Sequence, residues 1–155
     1  MKIHVYERTF LIVAILLTMG CLVALLYASR VHGIHLPGYT GTIDPALVEQ
    51  TPPFDQPGVR QTGDGEYEAV IIARAWDFEP DEIRVPAGSR VTITATAKDV
   101  IHGLHIAGTR VNVMLIPGQI TRAEYTFEEQ GELLMLCHEY CGLGHHLMGG
   151  RVVVE

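Results

Sequence analysis

The segment from Cys137 to Met148, which reads CHEYCGLGHHLM, constrains this chain more than any other stretch. Its metal-binding side chains are Cys137, His138, Cys141, His145 and Met148, with His146 as a further candidate. Thiolate, imidazole and thioether ligands together favour copper, zinc or iron–sulfur clusters over magnesium or calcium. Gly142 and Gly144 favour a turning loop, in which these side chains can converge on one point.

Three alternatives to a copper loop remain open for this segment. A helix would place Cys137, Cys141 and His145 on one packing face, but each glycine would cost about 1 kcal/mol there. A structural zinc site of two Cys and two His is a second alternative, with a C-x3-C spacing at the limit of the usual range. A disulfide between the two cysteines, allowed in an oxidising compartment, would leave His145 and Met148 unexplained. Copper is therefore the favoured ligand of the segment.

The order and spacing of the ligands carry a resemblance to a known family. Cys141, His145 and Met148 are arranged as in a blue-copper loop, which also takes one His from elsewhere. Cys137 adds a second thiolate, and the whole segment resembles the dinuclear copper A loop of cytochrome c oxidase subunit II. The segment DVIHGLH, residues 99–105, resembles the part of that family that supplies the remaining His. The likeness is greatest to the short, one-helix subunit II of ba-type oxidases.

The resemblance implies a set of ligands for two copper ions. They are His102, Cys137, the backbone carbonyl of Glu139, Cys141, His145 and Met148. In that family both thiolates bridge both coppers, each copper takes one His, and the thioether and the carbonyl are weak axial ligands. Spacing alone does not choose between His102 and His105, which a strand would point to opposite faces. The family match selects His102 and leaves His105, His138 and His146 outside the ligand set.

The same resemblance implies a fold and a function. The expected fold is all-β, a cupredoxin-like Greek-key barrel or sandwich with ligands on loops at one end, preceded by one transmembrane helix. The expected function is to take single electrons from cytochrome c or a similar carrier and pass them to haem in subunit I. Oxygen reduction and proton pumping would take place in that partner. Trp76 and Phe78, in the sequence AWDF, are implied as the residues where electrons arrive, although core packing is an alternative for Trp76.

Other functions share some of these features. A nitric oxide reductase complex can use the same copper module, with a different terminal acceptor. A membrane-tethered copper delivery protein should instead carry labile, exposed ligands. A quinol oxidase subunit II lacks these copper ligands. The net charge of −7 argues against nucleic-acid binding, which requires basic surface.

The N-terminal region predicts a membrane anchor. Thr9 to Ala28 contains no charged residue and spans about 30 Å as a helix, the hydrocarbon thickness of a bilayer. It is too long for the apolar core of a secretory signal, and a lipoprotein cleavage at Cys21 would cut it in half. Lys2 and Arg8 precede the span, which weakly favours a cytoplasmic N-terminus and a periplasmic or other extracytoplasmic C-terminal domain on the plasma (inner) membrane.

Composition divides the chain into four parts. Residues 1–8 are predicted as a cytoplasmic N-terminus, 9–29 as the transmembrane helix, 30–60 as an extended connector and 61–155 as the copper domain. The connector is rich in Pro and Gly and is expected to lie on a partner, apart from one helical turn capped by Asp44 before Pro45. Its His32 and His35 are expected to be exposed or interfacial rather than ligands.

Short strands with turns between them are predicted beyond the connector. The segments are Tyr67–Ala75, Ile83–Val85, Arg90–Ala97, His102–Ile106, Val111–Leu115, Ile120–Phe127, Gly131–Leu136 and Arg151–Val154. Seven or eight strands at this spacing predict a β-sandwich or barrel. Acidic residues beside the AWDF motif, at 77, 79, 81 and 82, are interpreted as charges that steer a basic donor, with solubility as the alternative.

Overall fold

The computed structural model describes residues 4–31 and 38–155, which belong to two compact units, 1–36 and 37–155. The first unit is helix α1, Val5–Val31, which contains the predicted span. Within the described residues it is the one helix long and apolar enough to cross a membrane, with a mean hydropathy of 2.7 in its most apolar window. His32 and His35 lie outside the described residues.

The second unit is built from two β-sheets. Its strands are β1 (Gly38–Thr42), β2 (Gly58–Gly63), β3 (Glu66–Arg74), β4 (Asp77–Glu79), β5 (Glu82–Val85), β6 (Ser89–Ala97), β7 (His102–Ile106), β8 (Asn112–Leu115), β9 (Gln119–Phe127), β10 (Gly131–Leu136) and β11 (Gly149–Val154). One sheet has the order β1-β9-β6-β3-β2, with β4 paired to β3. The other has the order β5-β11-β10-β7-β8. The predicted all-β fold is confirmed, and each predicted segment contains a strand with small differences at its ends.

Alternating apolar residues place the main core between the sheets. In β6, Val91, Ile93 and Ala95 point into this core, as the period of two in the sequence predicts. The second sheet contributes residues such as Leu104 and Met135 to the same cluster. The core extends to one end of the sandwich, where Cys137, Cys141 and Met148 form its last layer.

The structure corrects the prediction for the connector. Its second half is part of the domain: β1 pairs with β9, and β2 pairs with β3. Between these strands a 3-10 helix, Pro45–Gln50, begins where predicted, with Asp44 accepting a hydrogen bond from the Ala46 amide at 2.9 Å. The segment covers the outer face of the first sheet with Ile43, Val48 and Phe54. Residues 38–60 therefore pack on this domain.

We expect Phe54→Ala to destabilise the domain by about 3–5 kcal/mol, because a fully buried aromatic ring leaves a cavity when it is truncated. Chemical denaturation of the full chain in detergent measures this. The matched control is Leu47→Ala in the 3-10 helix, because the Leu47 side chain is 46% exposed and its truncation should cost much less. Equal, small effects of the two substitutions would show that the segment does not form a second core.

Candidate metal centre

The candidate ligands meet at one end of the sandwich because four chain segments end or begin there. β6 runs parallel to β3, so both strands end at the same edge of the domain. β7 begins beside that edge with His102, and β10 ends there immediately before Cys137. The long loop of residues 137–148 then crosses this end of the core and returns to β11.

Two buried thiols form the middle of the candidate site. The sulfur atoms of Cys137 and Cys141 are 3.9 Å apart. The Nδ1 atom of His102 is 3.9 Å from the Cys137 sulfur, and the Nδ1 atom of His145 is 3.5 Å from the Cys141 sulfur. His102, Cys137 and Cys141 form a group whose ligand atoms all lie within 4.8 Å of one another. Each thiol therefore faces one imidazole.

Two weaker donors complete the arrangement around the thiols. The sulfur of Met148 is 3.6 Å from the sulfur of Cys141. The backbone carbonyl oxygen of Glu139 is 3.3 Å from the sulfur of Cys137. The Met148 side chain is buried, with 3% exposed. All six atoms that the resemblance implies as ligands thus converge on one volume. Their assignment as ligands remains a prediction that metal analysis must test.

The donor set fits a metal cation. Burial, together with the neighbouring Cys137, raises the pKa of the Cys141 thiol to about 11. Two thiolates this close would repel each other in an apolar environment, so a cation between them is needed to hold both deprotonated. Thiolate, imidazole and thioether donors suit copper, zinc or iron among the common metals.

Asp99 orients His102 from the far side of its ring. Its Oδ1 atom is 2.8 Å from the His102 Nε2 atom, so the carboxylate receives that N–H and leaves Nδ1 facing Cys137. The carboxylate also accepts hydrogen bonds from the backbone amides of Val100 and Ala75, both at 2.7 Å. Burial opposes ionisation, but these hydrogen bonds lower the pKa of Asp99 overall. The sequence does not predict this role of Asp99, because one of its partners, Ala75, lies 24 residues away.

The residues predicted for electron arrival occupy different positions. Trp76 lies in the loop between β3 and β4, where 43% of it is exposed, and its indole N–H donates to the Cys141 carbonyl at 3.0 Å. Phe78 points into the core from β4 and is 1% exposed. Trp76 is therefore accessible at the surface and Phe78 is not, and the role of either residue in electron arrival stays a prediction. Phe78 instead packs beneath the loop that carries Trp76.

The remaining histidines lie outside the cluster of thiols. His105 faces away from it, with Nδ1 3.0 Å from the Val111 carbonyl, and His146 is exposed on the loop. The His138 ring lies directly over Gly103, where a Cβ atom would collide with it, and its Nε2 atom is 3.2 Å from the Val113 carbonyl. His138 therefore fastens the Cys137 end of the loop to the second sheet.

Comparison with known proteins identifies relatives along most of the chain. Residues 73–155 match the family described as cytochrome c oxidase subunit II, periplasmic domain. The chain is 37% identical over 154 residues to cytochrome c oxidase subunit 2 of Thermus thermophilus, which covers 97% of this chain and 92% of the relative.

Solved structures give the same result. A haem–copper terminal oxidase dimer contains a chain that superposes with a TM-score of 0.80 at 39% identity, covering 97% of this chain and 99% of that one. The periplasmic domain of subunit II of cytochrome oxidase from Bradyrhizobium japonicum superposes with a TM-score of 0.53 at 18% identity, covering 57% of this chain and 83% of that one. The second likeness supports the fold alone.

We expect Asp99→Asn to weaken metal binding about 10- to 100-fold without unfolding the domain. An amide has one acceptor oxygen where the carboxylate uses two, so the restraint on His102 or on the Ala75 amide is lost. Competition with a metal chelator measures the affinity, and the exposed turn residue Asp64 provides the control Asp64→Asn. Wild-type affinity in folded Asp99→Asn would exclude this role for Asp99.

Proposed function

Because the chain belongs to the cytochrome c oxidase subunit II family, we propose that it is the electron-accepting subunit of a terminal haem–copper oxidase. In this proposal it takes single electrons from cytochrome c or a similar carrier and passes them to haem in subunit I. Oxygen reduction and proton pumping then belong to that partner. The observation that carries the proposal is the convergence of two thiols, two imidazoles, a thioether and a carbonyl at one exposed end of the domain.

Copper is the metal to which the family and the donor set point, and we propose two copper ions per chain. Cys137 and Cys141 would bridge the pair, His102 and His145 would each bind one ion, and Met148 and the Glu139 carbonyl would be weak axial ligands. Bound copper supplies one-electron redox chemistry. The protein residues hold the ligand atoms in place and exclude water, since both thiols and Met148 are at least nine-tenths buried.

Burial of the donors also separates this function from copper delivery. A delivery protein must release its metal to a partner, which requires ligands that the partner can reach. Here the two thiols are 9% and 7% exposed, and His102 is fully buried. A site of this kind suits electron transfer, in which the metal stays and only the electron moves. A nitric oxide reductase complex remains the alternative, since the proposed copper site would pass electrons equally well to either kind of terminal acceptor.

Trp76 is proposed as the place where a donor makes contact. Its indole ring is partly exposed, and its hydrogen bond to the Cys141 carbonyl gives a short connection to a proposed bridging ligand. Three apolar side chains of the ligand loop lie exposed at the same end of the domain: Tyr140, Leu143 and Leu147. Such a surface can exclude water and pack against the edge of a haem.

Two of the four acidic residues near Trp76 form ion pairs with arginines, so they attract a basic donor less strongly than the sequence suggests. Glu79 pairs with Arg74, and Glu82 accepts hydrogen bonds from Arg84 and Arg151. Asp77 and Asp81 remain exposed. We therefore propose weak electrostatic steering added to an apolar contact.

A membrane-anchored arrangement fits α1 together with the match to a periplasmic-domain family. We propose that α1 spans the membrane once, with the N-terminus in the cytoplasm and the β-domain on the periplasmic or other extracytoplasmic side. The subunit would then assemble with subunit I in the membrane.

We expect the full chain, purified in detergent and loaded with copper, to bind two copper ions and to share one unpaired electron between them when oxidised. Metal analysis counts the ions, and electron paramagnetic resonance reports how the electron is distributed. One copper per chain, or an unpaired electron confined to one ion, would refute the dinuclear proposal.

Ligand substitutions provide the controls for that measurement. Cys137→Ser and Cys141→Ser should each abolish the shared-electron spectrum, because each removes a bridge. Met148→Leu should keep two coppers but change the reduction potential, because only a weak axial donor is lost. A Met148→Leu variant with an unchanged spectrum and potential would remove Met148 from the ligand set.

We expect Trp76→Ala, once loaded with copper, to be reduced by a basic cytochrome c at a clearly lower bimolecular rate. Stopped-flow absorbance at several ionic strengths measures the rate, and Tyr39→Ala, which removes an exposed aromatic from β1, is the control. The wild-type rate should fall moderately as salt screens the exposed carboxylates. An unchanged reduction rate in Trp76→Ala would show that Trp76 only packs against the loop. A wild-type rate that does not change with salt would indicate purely apolar docking.

We expect single cysteines introduced at exposed positions of the β-domain to react with a membrane-impermeant thiol reagent in intact cells. Gln61→Cys in β2 is one such position, in a chain whose native cysteines are replaced by Ser. The matching cytoplasmic probe, Glu7→Cys, should react only after the cells are opened. The reverse pattern would invert the proposed orientation.

A further inference from the structure

The Trp76 side chain packs against the backbone of the turn that joins Cys141 to His145. Its indole N–H donates to the Cys141 carbonyl at 3.0 Å, a contact between residues 65 positions apart. Part of the side chain is left to solvent, since Trp76 is 43% exposed. The inner face of the ring is therefore used by the loop, and the outer face remains available to a partner.

Two glycines let the ring approach the loop backbone closely. A Cβ atom on Gly144 would collide with the Cγ, Cδ2 and Cε3 atoms of the indole. A Cβ atom on Gly142 would lie 3.0 Å from the indole nitrogen, and the φ of Gly142 is +119°, which other residues rarely adopt. The two glycines of the CGLGH sequence thus allow the flat indole ring to pack directly against the backbone of the turn.

The turn between the buried residues Cys141 and Met148 has few other contacts with the rest of the domain. Three apolar side chains of the loop, Tyr140, Leu143 and Leu147, are between 77% and 84% exposed, whereas Met148 is buried. Within the turn, the amides of His145, Leu147 and Met148 each donate to the carbonyl three residues back. Such a short hydrogen-bonded turn with exposed side chains is marginal alone. A neighbouring group must fix its shape.

Trp76 is itself fixed to the opposite side of the site. The amide of Ala75 donates to Asp99 at 2.7 Å, and Asp99 in turn holds His102. The short segment 75–76 therefore connects the imidazole on β7 to the turn that carries Cys141 and His145. The distance between these two groups of ligand atoms depends on this segment even when no metal bond joins them.

We propose that Trp76 is a positioning residue that preorganises the metal-binding loop, holding the turn from Cys141 to His145 in its ligand-ready shape before metal binds. This role is separate from any contact with an electron donor. After binding, the metal bonds hold the loop as well, so the effect appears in the metal-free chain and in the rate of metal loss. The spectrum of the loaded site is left largely unchanged.

The direct test is hydrogen exchange of the metal-free full chain in detergent, followed by mass spectrometry of peptides from the loop. In Trp76→Ala the amides of His145, Leu147 and Met148 should exchange roughly tenfold faster, because an aromatic contact and a hydrogen bond are both lost. Trp76→Phe keeps a ring over the glycines but lacks the donor and should be intermediate. Leu143→Ala, an exposed residue of the same loop, should match the wild type.

Peptides from β6 and β9 provide the internal reference. Faster exchange confined to the loop supports the proposal. Unchanged loop exchange in Trp76→Ala, or an equal increase in the loop and in both strands, would overturn it, because the residue would then contribute nothing or only overall stability. If Trp76→Ala fails to fold, Trp76→Phe and Gly144→Ala decide the question. Gly144→Ala pushes the ring away and should loosen the same amides.

A second measurement rests on the proposed copper site and can fail independently. Copper loss to an excess of chelator should be roughly tenfold faster in Trp76→Ala than in the wild type and unchanged in Leu143→Ala. If the wild type binds no copper, the proposed function fails while the exchange result still stands. If copper binds and leaves both chains equally fast, the loop is not preorganised by Trp76.

Discussion

The close approach of two thiols at the end of the hydrophobic core is the constraint on which the rest of the site depends. Cys137 and Cys141 belong to the same apolar cluster as Met135 and Ile106, so packing of the two sheets determines where the sulfur atoms lie. The same burial makes the ionised pair unstable without a cation, as the raised pKa of Cys141 indicates. Folding therefore brings together two thiols that a metal cation would stabilise in their ionised form.

The sequence predicts those parts of the fold whose pattern is local. The strict alternation in β6 and the turn residues around it identify a strand without any knowledge of its neighbours. β1 and β2, with the sequences GYTGT and GVRQTG, have no such pattern. They are strands because β9 and β3 offer them backbone hydrogen bonds. Composition alone identifies this region as a connector, since Pro and Gly are frequent in both kinds of segment.

The residues of the candidate site likewise fall into two groups: those that a local pattern predicts and those that depend on long-range contacts. The convergence of Cys137, Cys141, His145 and Met148 could be predicted, because these four side chains are close in sequence and their chemistry is specific. The choice of His102 came from the family pattern and not from spacing. The contacts of Asp99 with Ala75 and of Trp76 with Cys141 join residues 24 and 65 positions apart. Such contacts depend on how the strands are ordered in the sheets, which no local pattern encodes.

The two faces of the Trp76 ring explain why a single substitution there has two consequences. The outer face meets solvent and can meet a donor, whereas the inner face rests on Gly142 and Gly144. Removing the ring changes both contacts, so a slower electron-transfer rate in Trp76→Ala does not by itself identify the cause. Hydrogen exchange of the metal-free loop is measured with no donor present, so it reports the inner face alone. Comparing the exchange rates with the rate of reduction by a donor separates the support of the loop from the docking of a partner.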